Sequence, residues 1–168
     1  DLAIGHLIEC ARQTGVAAAA IRHSSNALAL GHPVETLAEA GLIAFACANA
    51  PAAVAPPTSS VRLFGTNPLA FAVPLPGGHP LVVDQSSSAV TKTEIRRRLQ
   101  AGEPLEPGWA QDPRGQPTTD PAAALAGSML PSGGQKGANI ALLVEILAAA
   151  LPGATLSPQA GAFSSNEG

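Results

Sequence analysis

Tyrosine is absent from this sequence, and the other aromatics amount to one tryptophan and four phenylalanines. Nucleic-acid bases stack on aromatic faces, so that platform is missing. Lysine is nearly as scarce, with only Lys92 and Lys136, and the net charge is −3. The one basic run, Arg96, Arg97 and Arg98, falls on a segment of helical periodicity and reads as a solvated face, so no nucleic-acid partner is expected. Cysteine occurs twice, as Cys10 and Cys47, and the four histidines are His6, His23, His32 and His79. Neither CxxC nor HxxxH spacing occurs, and no metal site is expected. Two small buried thiols in a reducing cytosol are the default reading, which places the protein in the cytoplasm. No apolar run approaches the roughly 20 residues that span a bilayer, and no targeting peptide is visible, so no membrane partner is expected. The GxGxxG and GxxxxGK[ST] fingerprints are also missing, as is any Ser/His/Asp or Cys/His arrangement legible from spacing.

What remains is an apolar chain of 168 residues, 46% hydrophobic, with 17 glycines and 16 prolines spread through it rather than gathered in a linker. That is enough for one domain with its own core, and residues 1–168 read as a single domain without internal repeats. The sequence opens at Asp1 inside a helical pattern and closes on GAFSSNEG, which reads as a loop stopped midway; the expectation is an excised domain or fragment.

Apolar spacing predicts a helix over 2–14 stopped by Gly15, a buried strand over 16–22, a helix over 34–41 and a strand over 42–48. LAFAVPL (69–75) and HPLVVD (79–84) read as a hairpin around PGG. An amphipathic helix is expected over 88–102, a long polar loop over 103–121, a short Pro-initiated helix over 121–127 and a last helix over 138–151. The class is α+β, with long helices layered on a mostly apolar sheet.

Four stretches stand out. PSGGQKG (131–137) precedes a helix whose only charge is Glu145. A helix start has unpaired N–H groups and partial positive charge, a glycine turn bares the backbone, and Lys136 adds a full charge. Gly134, Gln135 and Lys136 could thus seat a phosphate; the turn could equally be only a connection. VVDQSSS (82–88) ends an apolar strand in Asp84, Gln85 and Ser86. Asp84 could accept from ribose hydroxyls while serine hydroxyls face phosphate, and Ser87 or Ser88 could cap the next helix. GTNPLAF (65–71) reads as a turn into a strand, and PGWAQDPRGQPTTDP (107–121) as a structural loop anchored by Trp109.

Taken in order, IRHSSNALALGHPVETLAEAGLIAFACANAPAAVAP, FGTNPLAFAVP, LVVDQSSS, EPGWAQDPRGQPTTDPAAALAGSMLPSGGQKG and LLVEILAAALPGA resemble the malate/L-lactate dehydrogenase family that lacks a Rossmann fold. That family includes ureidoglycolate dehydrogenase, 2,3-diketogulonate reductase, sulfolactate dehydrogenase and the Δ1-piperideine-2-carboxylate/Δ1-pyrroline-2-carboxylate reductases. The resemblance covers nearly the whole chain and implies the central cofactor-binding domain of an enzyme about twice as long, with a mainly antiparallel or mixed sheet flanked by helices as a layered sandwich, not a Rossmann fold. It implies NADPH- or NADH-dependent hydride transfer at the carbon next to a carboxylate, a small-molecule carboxylate substrate, and a homodimer with its active site near the subunit boundary. It assigns cofactor contact to Asp84, Gln85 and Ser86, and to Gly134, Gln135 and Lys136. The family's Ser-His pair and substrate-binding Arg belong upstream of residue 1.

The sequence departs from that pattern in places. The slot of the family's cofactor- and substrate-contacting His holds Asn26, which hydrogen-bonds but is no general acid near neutrality. Ala50 replaces a common serine, Thr58 and Ser59 replace paired glycines, and Asp-Gln-Ser replaces Asp-Met-Ala, a variant associated with the cyclic imino acid reductases. Two readings follow: the cofactor domain of a 2-oxo acid or cyclic imino acid reductase, or a catalytically silent domain of the same fold kept for binding or assembly.

Overall fold

The computed structural model describes residues 2–24 and 28–161. The chain divides into two compact units, Asp1–Cys47 with Leu69–Gln85, and Ala48–Pro68 with Ser86–Gly168. Antiparallel sheets and helices occur in both, giving the expected α+β class.

The first unit holds helices α1 (Leu2–Thr14) and α2 (Gly31–Glu39) and strands β1 (Ala44–Cys47), β2 (Leu69–Val73) and β3 (Leu81–Gln85), in sheet order β1-β2-β3. The register aligns Ala44, Ala72 and Val82 in one row, and Phe45, Phe71 and Val83 in the next. Side chains alternate between faces, so the alanines gather on one side and the bulky residues on the other. Ala44, Ala70 and Ala72 are buried, and α2 packs against all three strands through Val34, Leu37 and Ala38. Helix α1 stops at Gly15, whose N–H bonds the Ala11 carbonyl at 2.8 Å, and the hairpin turns at 76–78 as its sequence predicts.

The expected strand over 16–22 does not form: Val16 and Ile21 are 77% and 66% exposed and the segment joins no ladder among the described residues. An apolar run becomes a strand only when a neighbour takes up its N–H and C=O groups. The thiols also differ from expectation, since Cys10 and Cys47 are only half-buried. Partial burial still raises the Cys47 thiol above its ordinary value.

The second unit carries α3 (Lys92–Ala101), β4 (Ala110–Gln111), β5 (Pro117–Thr118), α4 (Pro121–Ala126), β6 (Ser128–Met129) and α5 (Gln135–Glu145), with sheet order β5-β4-β6. Its core is built on Val54, Phe64, Ile95, Leu105, Met129 and Ala141, with Trp109 packed at the margin as a half-buried anchor. The stretch 103–121 is more ordered than its polar composition indicates. Asp112 Oδ1 accepts from the N–H groups of Arg114 and Gln116, both at 2.9 Å, and this closes β4 onto β5. Arg62 finishes α4 by donating to the carbonyls of Leu125, Ala126 and Gly127, a cation at the negative end of the helix.

Thr91, not Ser87 or Ser88, caps α3, accepting from the Glu94 N–H at 3.2 Å. The arginine run is also spent within the unit: Arg97 and Arg98 donate to Glu94 at 2.8–3.0 Å, and Arg98 lies 5.3 Å from the Trp109 ring. The hydrogen bonds from Arg97, then those from Arg98, hold the Glu94 carboxyl at about 2, well below its ordinary 4.5. A depressed folded value stabilises fully above the unfolded value and is lost as pH falls through the folded one. Glu94→Gln should therefore be less stable than wild type at neutral pH. The gap, read by urea denaturation, should close as the pH drops from 4.5 towards about 2.

Candidate functional site

The glycine turn ahead of α5 is the most distinctive local structure in the second unit. Gly133 and Gly134 have φ of +63° and +62°, a region that side chains avoid, and a methyl added to either would meet nothing within 4 Å. The backbone is thus bent by glycine and left bare on its outer side. Gly134 precedes the helix and supplies no side-chain cap. The Ala138 N–H closes the first turn on the Gly134 carbonyl at 3.1 Å, so the N–H groups of Gln135, Lys136 and Gly137 have no partner within the helix. This early start moves the helix three residues ahead of its predicted beginning at 138. Lys136 is exposed and makes no ion pair among the described residues. Gln135 lies back along the helix, donating to Asn139 Oδ1 at 2.8 Å.

Gly137 is a glycine for a different reason. A methyl there would stand 2.2 Å from the Ser132 carbonyl oxygen and 2.8 Å from its nitrogen. The turn folds back so closely on the first helical turn that only a hydrogen fits.

The serine run lies against this turn. The Ser132 N–H donates to the Ser87 carbonyl and the Ala89 N–H to the Leu130 carbonyl, at 2.9 and 2.8 Å. Ser87 donates from both its N–H and its hydroxyl to the Thr66 carbonyl, each at 2.9 Å. Ser86 Oγ sits 3.1 Å from Ser88 Oγ. Backbone bonds thus stitch the serine run, at Ser87 and Ala89, to Leu130 and Ser132 just ahead of the glycine turn; Ser86, Gly134, Gln135 and Lys136 adjoin these bonded positions in the sequence.

Asp84 and Gln85 lie at the end of β3 in the first unit. The Asp84 Oδ2 accepts the Gly31 N–H at 2.7 Å, so one carboxylate oxygen anchors the start of α2. That explains why α2 begins at Gly31 rather than at Val34. Among the described residues the other oxygen remains open for a hydroxyl. Asn26 lies outside the described residues.

One buried cluster joins Asn67, from the GTNPLAF stretch read as a turn into a strand, to Glu145 and Ser157, which no candidate site included. Asn67, Glu145 and Ser157 are 0%, 7% and 1% exposed. Asn67 Nδ2 donates to Glu145 Oε2 at 2.8 Å and to the Ala141 carbonyl at 2.9 Å, while Oδ1 accepts the Ala50 N–H at 3.3 Å. Ser157 gives its N–H to Glu145 Oε1 at 2.6 Å and its hydroxyl to Oε2 at 2.5 Å. The legible signal was a lone acid on an otherwise apolar helix: a charge there is either solvated or, as here, satisfied in the interior.

The sequence matches the malate/L-lactate dehydrogenase family over residues 1–168, and the chain belongs to that family. It is 49% identical over 161 residues to the (2R)-3-sulfolactate dehydrogenase (NADP(+)) of Chromohalobacter salexigens, covering 96% of this chain and 48% of that protein. The Delta(1)-pyrroline-2-carboxylate/Delta(1)-piperideine-2-carboxylate reductase of Pseudomonas aeruginosa is 45% identical over 162 residues, with the same coverage. Among solved structures, the delta1-piperideine-2-carboxylate reductase of Pseudomonas syringae pv. tomato superposes with a TM-score of 0.92 at 40% identity. That superposition spans 95% of this chain and 48% of the other. The chain thus spans about half the length of the curated relatives it matches.

Proposed function

We propose that this chain is the nicotinamide-nucleotide-holding part of an NAD(P)H-dependent oxidoreductase, acting at the carbon beside a carboxylate in a small 2-oxo acid or cyclic imino acid. The observation that carries the reading is the glycine turn, where, among the described residues, three helix N–H groups and Lys136 have no partner beside bare backbone. These residues fit an anionic phosphate: the donors are fixed, the helix end is positive, and no side chain blocks approach. Bound there, the nicotinamide nucleotide supplies the hydride. The N–H groups of Gln135, Lys136 and Gly137 and the Lys136 ammonium would hold a phosphate oxygen, with Ser86 beside the stitched Ser87 in the sequence. The family resemblance also assigns Asp84 and Gln85, at the end of β3, to the cofactor. Antiparallel sheets in place of a doubly wound parallel one support a non-Rossmann, layered arrangement.

The relatives' names support both substrate types. A cyclic imine is favoured by Asn26, because a protonated imine needs less acid help than a ketone. The working form is proposed to be a cytoplasmic homodimer within a longer chain.

Titration of the full-length protein with NADPH and with NADH, followed by nicotinamide fluorescence, tests the reading. Saturable binding of at least one is expected. Lys136→Ala should weaken it on the order of 10-fold, by removal of one charge-assisted contact, with a smaller salt dependence than wild type. Absence of binding at millimolar nucleotide would sink the proposal in favour of a silent domain. Faster reduction of pyruvate than of Δ1-pyrroline-2-carboxylate would overturn the imine preference alone.

A further inference from the structure

We infer that Asn67 and Glu145 are positioning residues for the glycine-turn anion seat, an inference that rests on the nucleotide reading above. A seat made of helix N–H groups works only if the first helical turn is held in place relative to the turn before it. The buried face of α5 is poorly equipped to do this by packing. It is made of Gly137, Ala138, Ala141 and Val144, small residues that offer few knobs against sliding along the axis, whereas Leu142, Leu143 and Ile146 face outward, nearly half exposed. Directional polar contacts supply the missing register.

The segment Thr66–Asn67 grips α5 at two levels. Asn67 holds the helix body through the Ala141 carbonyl and, one turn on, through Glu145. Thr66 holds the seat end: its carbonyl takes both Ser87 donors, and the Ser87 carbonyl takes the Ser132 N–H, in the turn that carries Gly133 and Gly134. Asn67 adopts φ +38° to face the helix, a conformation asparagine tolerates better than most residues. A buried carboxylate is a poor device for stability alone, since an apolar isostere of its shape serves as well or better. With Ser157 donating twice and Asn67 once, the Glu145 carboxylate instead fixes one angular and axial position for the helix. No other titratable side chain among the described residues bonds to it, so its partners are Asn67 and Ser157 alone.

The test uses the full-length protein, with nucleotide affinity read from nicotinamide fluorescence well below the melting temperature. Wild type, Asn67→Asp and the Asn67→Asp/Glu145→Gln double variant are compared at one acidic and one alkaline pH at which wild type is folded, because two facing carboxylates lose their protons in coupled steps. In Asn67→Asp two carboxylates face each other where an amide now donates at 2.8 Å; they repel when both are ionised and share a proton when one is not. Relative to wild type at the same pH, affinity should fall on the order of 10-fold at the higher pH and recover at the lower. The double variant exchanges donor and acceptor between the two positions but leaves the Ala141 carbonyl without its side-chain donor, so affinity should recover in part and to the same extent at both pH values. If Asn67→Asp does not fold, Glu145→Gln alone serves: it loses one acceptor, should bind several-fold more weakly, and should be partly rescued in the double variant. An Asn67→Asp protein that melts earlier yet binds nucleotide like wild type at both pH values would show that the network only stabilises. A wild-type protein that binds neither NADPH nor NADH would overturn the nucleotide reading itself, and this inference with it.

Discussion

Gly137→Ala should cost the protein most of its nucleotide affinity. In an ordinary helix interior the same exchange stabilises by about 1 kcal/mol, because alanine gives up less chain entropy than glycine. Here the added methyl stands 2.2 Å from the Ser132 carbonyl oxygen, 2.8 Å from its nitrogen and 3.0 Å from its carbonyl carbon. These neighbours are backbone atoms and cannot rotate away. Relief requires the turn to move off the helix by about 1 Å, given ordinary contact distances of 3.5–4.0 Å between carbons. Ser132 is also tied to the Ser87 carbonyl at 2.9 Å, so the shift must break or drag the serine run. The net stability loss, after the helix-propensity gain, should be about 1–3 kcal/mol. A displacement of that size in a positioned anion seat is worth on the order of 100-fold in binding or rate. Urea denaturation reads the first quantity and fluorescence titration the second. A Gly137→Ala protein with wild-type affinity would mean that the phosphate lies elsewhere.

Much of this was legible in the sequence where one local rule decided the outcome. Gly15 stops α1, PGG turns the hairpin, Pro121 opens α4, and Gly133 and Gly134 precede a helix. Each depends on backbone conformation or a missing donor that a residue type dictates by itself. The failures share the opposite property. Residues 16–22 have the composition of a strand, but a strand is a pairing, and no alternation in one segment reveals whether a neighbour is present. Asp112 turns a polar loop into a hairpin through bonds to Arg114 and Gln116 that composition does not show. Ser87 was a reasonable cap for α3, yet its hydroxyl is claimed by Thr66 from 21 residues away. The same holds for the site. Lys136 and its glycines announced themselves, whereas the Asn67–Glu145–Ser157 cluster joins residues up to 90 positions apart. Only the oddity of one acid on an apolar helix hinted at it.

Gly127→Ala should be the more damaging change to stability and the lesser to binding. Gly127 follows α4, and a methyl on it would stand 2.0 Å from the Gln111 carbonyl oxygen and 2.5 Å from the Asp112 carbonyl carbon. Both obstacles are backbone at the end of β4, where Gln111 pairs with Ser128 of β6 and its side chain donates to Ser128 Oγ at 2.9 Å. The glycine cannot retreat either, because its carbonyl accepts Arg62 Nε at 2.6 Å and its N–H bonds the Ala123 carbonyl at 2.8 Å. Relief must separate β4 from β6 or pull α4 from its arginine cap, beside the Ala110 and Met129 core. A loss of about 3–5 kcal/mol is expected, in the range of severe core overpacking. The strain is nevertheless held by different bonds from those of the glycine turn. Gly127 acts through Gln111, Ser128 and Arg62; Gly137 acts through Ser132, Ser87 and Thr66. At a temperature where the variant is still folded, its nucleotide affinity should therefore stay within about twofold of wild type, as expected for sites that share no partners. Equal affinity losses in the two variants would show that the seat follows the integrity of the whole second unit. A loss confined to Gly137→Ala would locate it in the turn, where the N–H groups and Lys136 converge.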